Sequence, residues 1–146
     1  MTTFQITVDC SDPDRLARFW SAALDYDLQG PPDGHDSWRA FWLSVGVPED
    51  EVEDGYDAIT DPTGNGPRIW FQRVPEAKSQ KNRMHVDLLV GGGRGVPLEE
   101  RRARVEAAVD RLVALGAARR HTMDSPDQDH YAVAMADPEG NEFDGV

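Results

Sequence analysis

The chain has 146 residues, enough to bury one good core or two small modules that share one, and too few for two ordinary independent domains. Its formal charge of −12, from 27 acids against 15 Lys and Arg, excludes a nucleic-acid binder, because a polyphosphate is held by a continuous basic surface and none is present. No apolar run is long enough for a signal peptide or a membrane span, and a lone cysteine, Cys10, cannot close an intramolecular disulfide, so a cytoplasmic protein with a packed, inert thiol is expected.

Residues 4–10, FQITVDC, alternate Phe4, Ile6 and Val8 against Gln5, Thr7 and Asp9, the period of a strand with one buried face. Asp12 followed by Pro13 reads as an N-cap with proline at the first helical position, and Leu16, Phe19, Trp20, Ala23 and Leu24 form the stripe of a helix over about 13–24. Tyr26 and Leu28 start a short strand that Pro31-Pro32-Asp33-Gly34 ends. The segment SWRAFWLSV then predicts another strand, with Trp38 and Trp42 on one face. PEDEVEDGYD is an acidic, solvated loop: nine acids lie between Asp33 and Asp61 against the single base Arg39. Asp61-Pro62-Thr63-Gly64-Asn65 is a turn, and Arg68 to Val74 is extended, with Arg68, Trp70 and Gln72 opposite Ile69 and Phe71.

The polar stretch PEAKSQKN divides the chain, giving a first module over 1–76, a linker over 77–82 and a second module over 83–146. The order of elements then starts again. MHVDLLV predicts a strand with His85 and Asp87 on one face and Val86 and Leu88 on the other. A glycine-rich connector, Gly91 to Gly95, lacks the Gly-Lys-Ser/Thr ending of a phosphate loop and leads to a long helix with the stripe Val105, Ala108, Val109, Leu112 and Leu115, stopped by Gly116. Short strands follow at 117–122 and 130–135, and the turn Asp137-Pro138-Glu139-Gly140-Asn141 opens a last strand over 142–146.

Asp-Pro-Thr-Gly-Asn at 61–65 and Asp-Pro-Glu-Gly-Asn at 137–141 repeat at an offset of 76, and Gln5-Ile6-Thr7-Val8 lies over His85-Val86-Asp87-Leu88 at an offset of 80. Two markers at nearly one spacing argue for duplication. The expected fold is α+β: two tandem βαβββ modules forming a curved mixed sheet around a cleft, with the helices on the outer face.

The first-helix segment DPDRLARFWSAALDYDL, the ending DPEGNEFDGV and the middle segment IWFQRVPEAKSQKNRMHVDLLV together resemble the vicinal oxygen chelate superfamily, whose members include glyoxalase I, bleomycin-resistance proteins and extradiol dioxygenases. The resemblance covers essentially the whole chain. It implies four metal ligands, one on each opening strand and one on each closing strand. Carried over residue by residue, these fall on Gln5 and His85 at the openings, on Asp144 at the second closing position, and on Arg68 or, with a shift of four residues, Gln72 at the first. Arginine carries no acceptor and cannot ligate. The candidate metal set is therefore Gln5, Gln72, His85 and Asp144, with a single anionic member, and Asp144 is the candidate catalytic base.

Two functions stay open at this point. With one divalent ion (Zn, Ni, Mn or Fe), the resemblance implies lyase, isomerase or dioxygenase chemistry on a small molecule whose developing oxyanion the cation stabilises. Without a metal, it implies a protein like those of bleomycin resistance, sequestering a cationic aromatic ligand in a tryptophan-lined groove shared by a homodimer. Under either function Trp38, Trp42, Trp70 and Arg68 are the candidate ligand contacts.

Overall fold

The computed structural model describes residues 2–146 and resolves two compact units, 1–77 and 78–146. The amino-terminal unit contains β1 (Gln5–Cys10), α1 (Pro13–Leu24), β2 (Asp27–Leu28), α2 (Trp38–Ser44), β3 (Ala58–Thr60) and β4 (Arg68–Arg73). Its sheet has the order β1-β4-β3-β2, with β1 and β4 parallel and the other pairs antiparallel. The carboxy-terminal unit contains β5 (Asp87–Leu88), α3 (Leu98–Ala114), β6 (Ala118–Ser125), β7 (His130–Ala136) and β8 (Glu142–Gly145). Its sheet, β5-β8-β7-β6, repeats the pattern, with a parallel first-to-last pair and antiparallel hairpins beyond it. The fold is α+β, made of two tandem modules that each carry a four-stranded mixed sheet. No described helix is long and apolar enough to cross a membrane.

Helix α1 forms where its signals place it. The Asp12 side chain accepts from the Arg15 amide at 3.2 Å, and Pro13 opens the helix. Leu16, Ala17, Phe19, Trp20 and Ala23 turn one buried face toward β3 and β4, where Ile59, Ile69 and Phe71 are also buried. Asp25 ends the helix in the left-handed conformation, at φ 56°, where glycine is the usual residue. In the second unit α3 buries Val105, Val109 and Leu112 against the sheet that carries Val133, Met135 and Phe143. Cys10 is buried, and its thiol donates to the Gln72 carbonyl at 3.6 Å.

The segment 38–44 is a helix, not the strand that its alternating tryptophans suggest. Ser37 Oγ accepts from the Ala40 amide at 3.0 Å and caps it. Trp38, Phe41 and Trp42 stand at helical spacing and pack on one another, the two indoles stacked at 5.8 Å between centroids. None of the α2 residues is buried, so the aromatic contacts within the helix replace a sheet partner. The strand that completes the first module is β3, three residues that follow directly on the acidic loop, with Ala58 and Ile59 fully buried.

The repeated turn is organised by local hydrogen bonds to its aspartate. Asp61 accepts from the Thr63 amide and hydroxyl, both at 2.8 Å, and from the amides of Asn65 and Gly66. The Thr63 amide and hydroxyl hold its carboxyl below the usual range. Asp137, which is 3% exposed, accepts from the amides of Glu139 and Asn141 and from the Asn141 side chain at 2.9–3.0 Å. Gly64 and Gly140 adopt φ of 73° and 88°, which explains the invariant glycine of the two copies. Replacing Asp137 with Ala strands these donors, and we expect a loss of about 2–3 kcal/mol in urea unfolding.

Helix α3 is also tied to β6 and β7 by Glu106, which bonds both guanidinium nitrogens of Arg119 at 2.7 and 2.9 Å and accepts from the Tyr131 hydroxyl. The Arg119 bonds, then that of Tyr131, draw the Glu106 carboxyl below its ordinary value. A depressed carboxylate contributes stability that is present above the unfolded value of about 4.3 and is lost as pH falls through the folded one. The urea-midpoint gap between wild type and Glu106→Gln is therefore expected to be constant above about pH 5 and to close on further acidification.

Candidate functional site

The register of each parallel pair decides which side chains meet. In the first unit Gln5 stands opposite Arg68, and Gln72 stands opposite Asp9. Gln5 and Gln72 are thus four residues apart along the sheet, about 13 Å, too far to share one ion. Arg68 fills the place across from Gln5. Its Nη1 donates to Gln5 Oε1 at 3.0 Å, and its Nε donates to Gln29 Oε1 at 2.6 Å.

In the second unit Asp87 stands opposite Asp144, and the Asp144 amide donates to the Val86 carbonyl at 3.0 Å. Asp144 follows Arg68 by 76 residues, the spacing of the repeated turn, whereas Asp87 follows Gln5 by 82. By strand pairing the counterpart of Gln5 is therefore Asp87, and His85 lies two residues before it. The paired portion of this opening strand is only Asp87–Leu88, shorter than MHVDLLV suggests.

His85, Asp87 and Asp144 converge. Each offers one ligating atom, and these atoms lie within 4.8 Å of one another. His85 Nδ1 is 3.0 Å from Asp87 Oδ1. Asp144 is half-buried, while His85 and Asp87 are exposed. Glu142 shares the strand face of Asp144, but its carboxylate is occupied: it accepts from the Asn82 amide at 2.8 Å and pairs with Lys78 at 3.3 Å, and the Asn82 bond leads in holding its carboxyl below the usual range. The acid that sequence reasoning missed is Asp87. Its signal was present in the two-residue spacing from His85 on one strand face, but a pattern with one ligand per opening strand left it out.

The four candidate ligand contacts separate. Trp38 and Trp42 line a cavity of about 230 Å³ within the first unit, together with Tyr56 and the acids Asp14, Glu53 and Asp57. Trp38 is oriented by its Nε1 bond to the Gln29 carbonyl at 2.8 Å. Asp14 accepts from the Arg18 side chain and the Tyr56 amide, both at 2.8 Å; burial raises its carboxyl, but these bonds outweigh it and hold it below the usual range. Trp70 and Arg68 lie outside the cavity lining, and Trp70 Nε1 donates to Asp57 at 3.0 Å.

A family model described as a glyoxalase-like domain matches residues 5–146. No curated protein matches the sequence. Among solved structures, the chain is similar to a glyoxalase/bleomycin resistance protein/dioxygenase family enzyme from Burkholderia phytofirmans PsJN, with TM-score 0.55, 13% identity, and 97% of this chain and 94% of that one covered. It is also similar to the fosfomycin resistance protein FosX from Mesorhizobium loti, with TM-score 0.56, 10% identity and coverage of 99% and 89%. A mutant of FosX from Listeria monocytogenes, solved with Mn(II) and 1S,2S-dihydroxypropylphosphonic acid, matches with TM-score 0.58, 12% identity and coverage of 99% and 90%. At these identities the structural likeness speaks for the fold alone.

Proposed function

The chain belongs to the glyoxalase-like domain family, and we propose from that premise that it binds a small molecule with the help of one divalent cation held by the carboxy-terminal unit. The convergence of His85, Asp87 and Asp144 carries this reading. The donor set fits a dication: two carboxylates offset its charge, and a neutral imidazole beside oxygen ligands suits Mn, Fe, Ni or Zn. A FosX neighbour was itself solved with Mn(II), which supports the assignment.

When bound, the cation would supply Lewis acidity toward an enolate or related oxyanion, the chemistry shared by isomerase, lyase and dioxygenase reactions of this type. The remaining work falls to the chain. Asp87 Oδ1 stands 3.0 Å from His85 Nδ1, so a carboxylate and an imidazole present adjacent donors that would face one ion. Asp144, held by its place in β8, is the group suited to accept a substrate proton when its carboxylate is not engaged as a ligand. Calorimetric titration of metal-stripped protein with Mn, Ni, Zn and Fe(II) salts should show one ion per chain, weakened about tenfold or more in Asp87→Asn and Asp144→Asn. Absence of uptake by the wild type, or unchanged affinity in both variants, would sink the reading.

A second reading rests on the cavity of the first unit. Stacked Trp38 and Trp42, in a lining with six acids, Glu51 and Asp57 among them, against the single base Arg73, which pairs with Glu53, suit a cationic aromatic ligand, held by cation–π contact and acid rims without any reaction, in the manner of bleomycin-resistance proteins. Trp42, Leu43 and Val45 stay exposed in and after α2, an apolar face that a second copy of the chain would cover in a homodimer. Acriflavine should quench tryptophan fluorescence, more weakly as salt rises, and Trp42→Ala should cost about 1 kcal/mol of affinity. Quenching that ignores both salt and the substitution would count against this reading.

A further inference from the structure

The buried and half-buried arginines of this protein meet carboxylates, with one exception among the described residues. Arg39 pairs with Glu49, Arg101 with Asp129 and Arg102 with Asp124. Arg68 is half-buried, yet no carboxylate lies within 4.0 Å of it among the described residues. Its two partners, Gln5 and Gln29, are neutral amides that accept from Nη1 and Nε. They orient the guanidinium without cancelling its charge. Nη2 has no partner among the described residues, so both its hydrogens, with one left on Nη1, stay available to an oxyanion.

The backbone holds both braces of this guanidinium in place. Gln5 is fixed by its register opposite Arg68 in the parallel pair, and Gln29 is fixed by its amide bond to the Ala58 carbonyl at 2.9 Å. In the duplicated scaffold the same position on the closing strand of the other unit is Asp144. The two modules therefore present opposite charges at equivalent places.

We infer that Arg68, braced by Gln5 and Gln29, is an oxyanion-binding site that receives the carboxylate, phosphate or phosphonate group of a small molecule. In a chain of charge −12 the general field repels such a group, so its capture needs a local cation that no neighbouring acid neutralises. The site needs no metal, and its test is separate from that of the cation site.

The test follows the Arg68 Nε–H signal by ¹⁵N NMR, assigned through its loss in Arg68→Lys, while metal-stripped protein is titrated at constant ionic strength with sodium phosphate and, separately, with sodium acetate. A saturable shift is expected with at least one anion, at a dissociation constant on the order of millimolar. The tighter of the two then identifies a tetrahedral or a planar oxyanion as the matching group. By calorimetry Arg68→Gln should lose about tenfold or more in affinity, and Arg68→Lys, which keeps charge but not the fork, should fall between. If Arg68→Gln does not fold, the wild-type signal decides alone. No saturable shift with either anion, or equal affinity in a folded Arg68→Gln, would overturn the proposal and leave Arg68 as a clamp between two glutamines.

Discussion

The parallel pairing of the first and last strands of each module is the constraint on which the other features depend. β1 and β4, like β5 and β8, lie side by side though two α-helices and two strands separate the first pair in the chain, and one α-helix and two strands the second. A parallel neighbour is reached only by a crossover, and the crossover here begins with the helix that covers one face of the sheet. Once that helix is seated, alternation along the closing strand is set: Ile69 and Phe71 go to the core in one unit and Phe143 in the other, leaving 68, 70 and 72, or 142 and 144, to the opposite face. A slip of one residue would reverse the assignment, so core burial enforces the register of the polar face.

The same geometry has been given different chemistry in each copy. Across the first parallel pair stand an amide and a guanidinium, and across the second two carboxylates with an imidazole close by. Neither set needs a change of backbone to replace the other, because the side chains leave equivalent places on matching strands. The acidity of the whole chain acts on the two sets in opposite senses, favouring a cation at one and making an unneutralised arginine conspicuous at the other.

Much of the architecture was legible in the sequence because its signals are local. Helix α1 is announced by Asp12-Pro13 and its stripe, α3 by its apolar stripe and Gly116, and the duplication by the Asp-Pro turn. Helix α2 was read as a strand because Trp38, Ala40 and Trp42 alternate, while the Ser37 cap and the helical spacing of Trp38, Phe41 and Trp42 carried the opposite message. The three residues of β3 are too few to show a period of their own. The cluster of His85, Asp87 and Asp144 was legible only in part. His85 and Asp144 follow from the repeat, but the true counterpart of Gln5 depends on a register between strands that no single segment encodes, so Asp87 was passed over and Gln72 was brought to a place that Arg68 fills.

The Asp61 and Asp137 turns have a further consequence. In each, the aspartate gathers amide donors from within five residues of itself. Construction of the module and choice of reagent are thereby uncoupled. A lineage carrying this turn is free to exchange the residue at the head of the closing strand, base for acid or acid for amide, while the mould that presents it stays intact. Duplicated chains of this kind can then drift apart in chemistry long before they drift apart in shape.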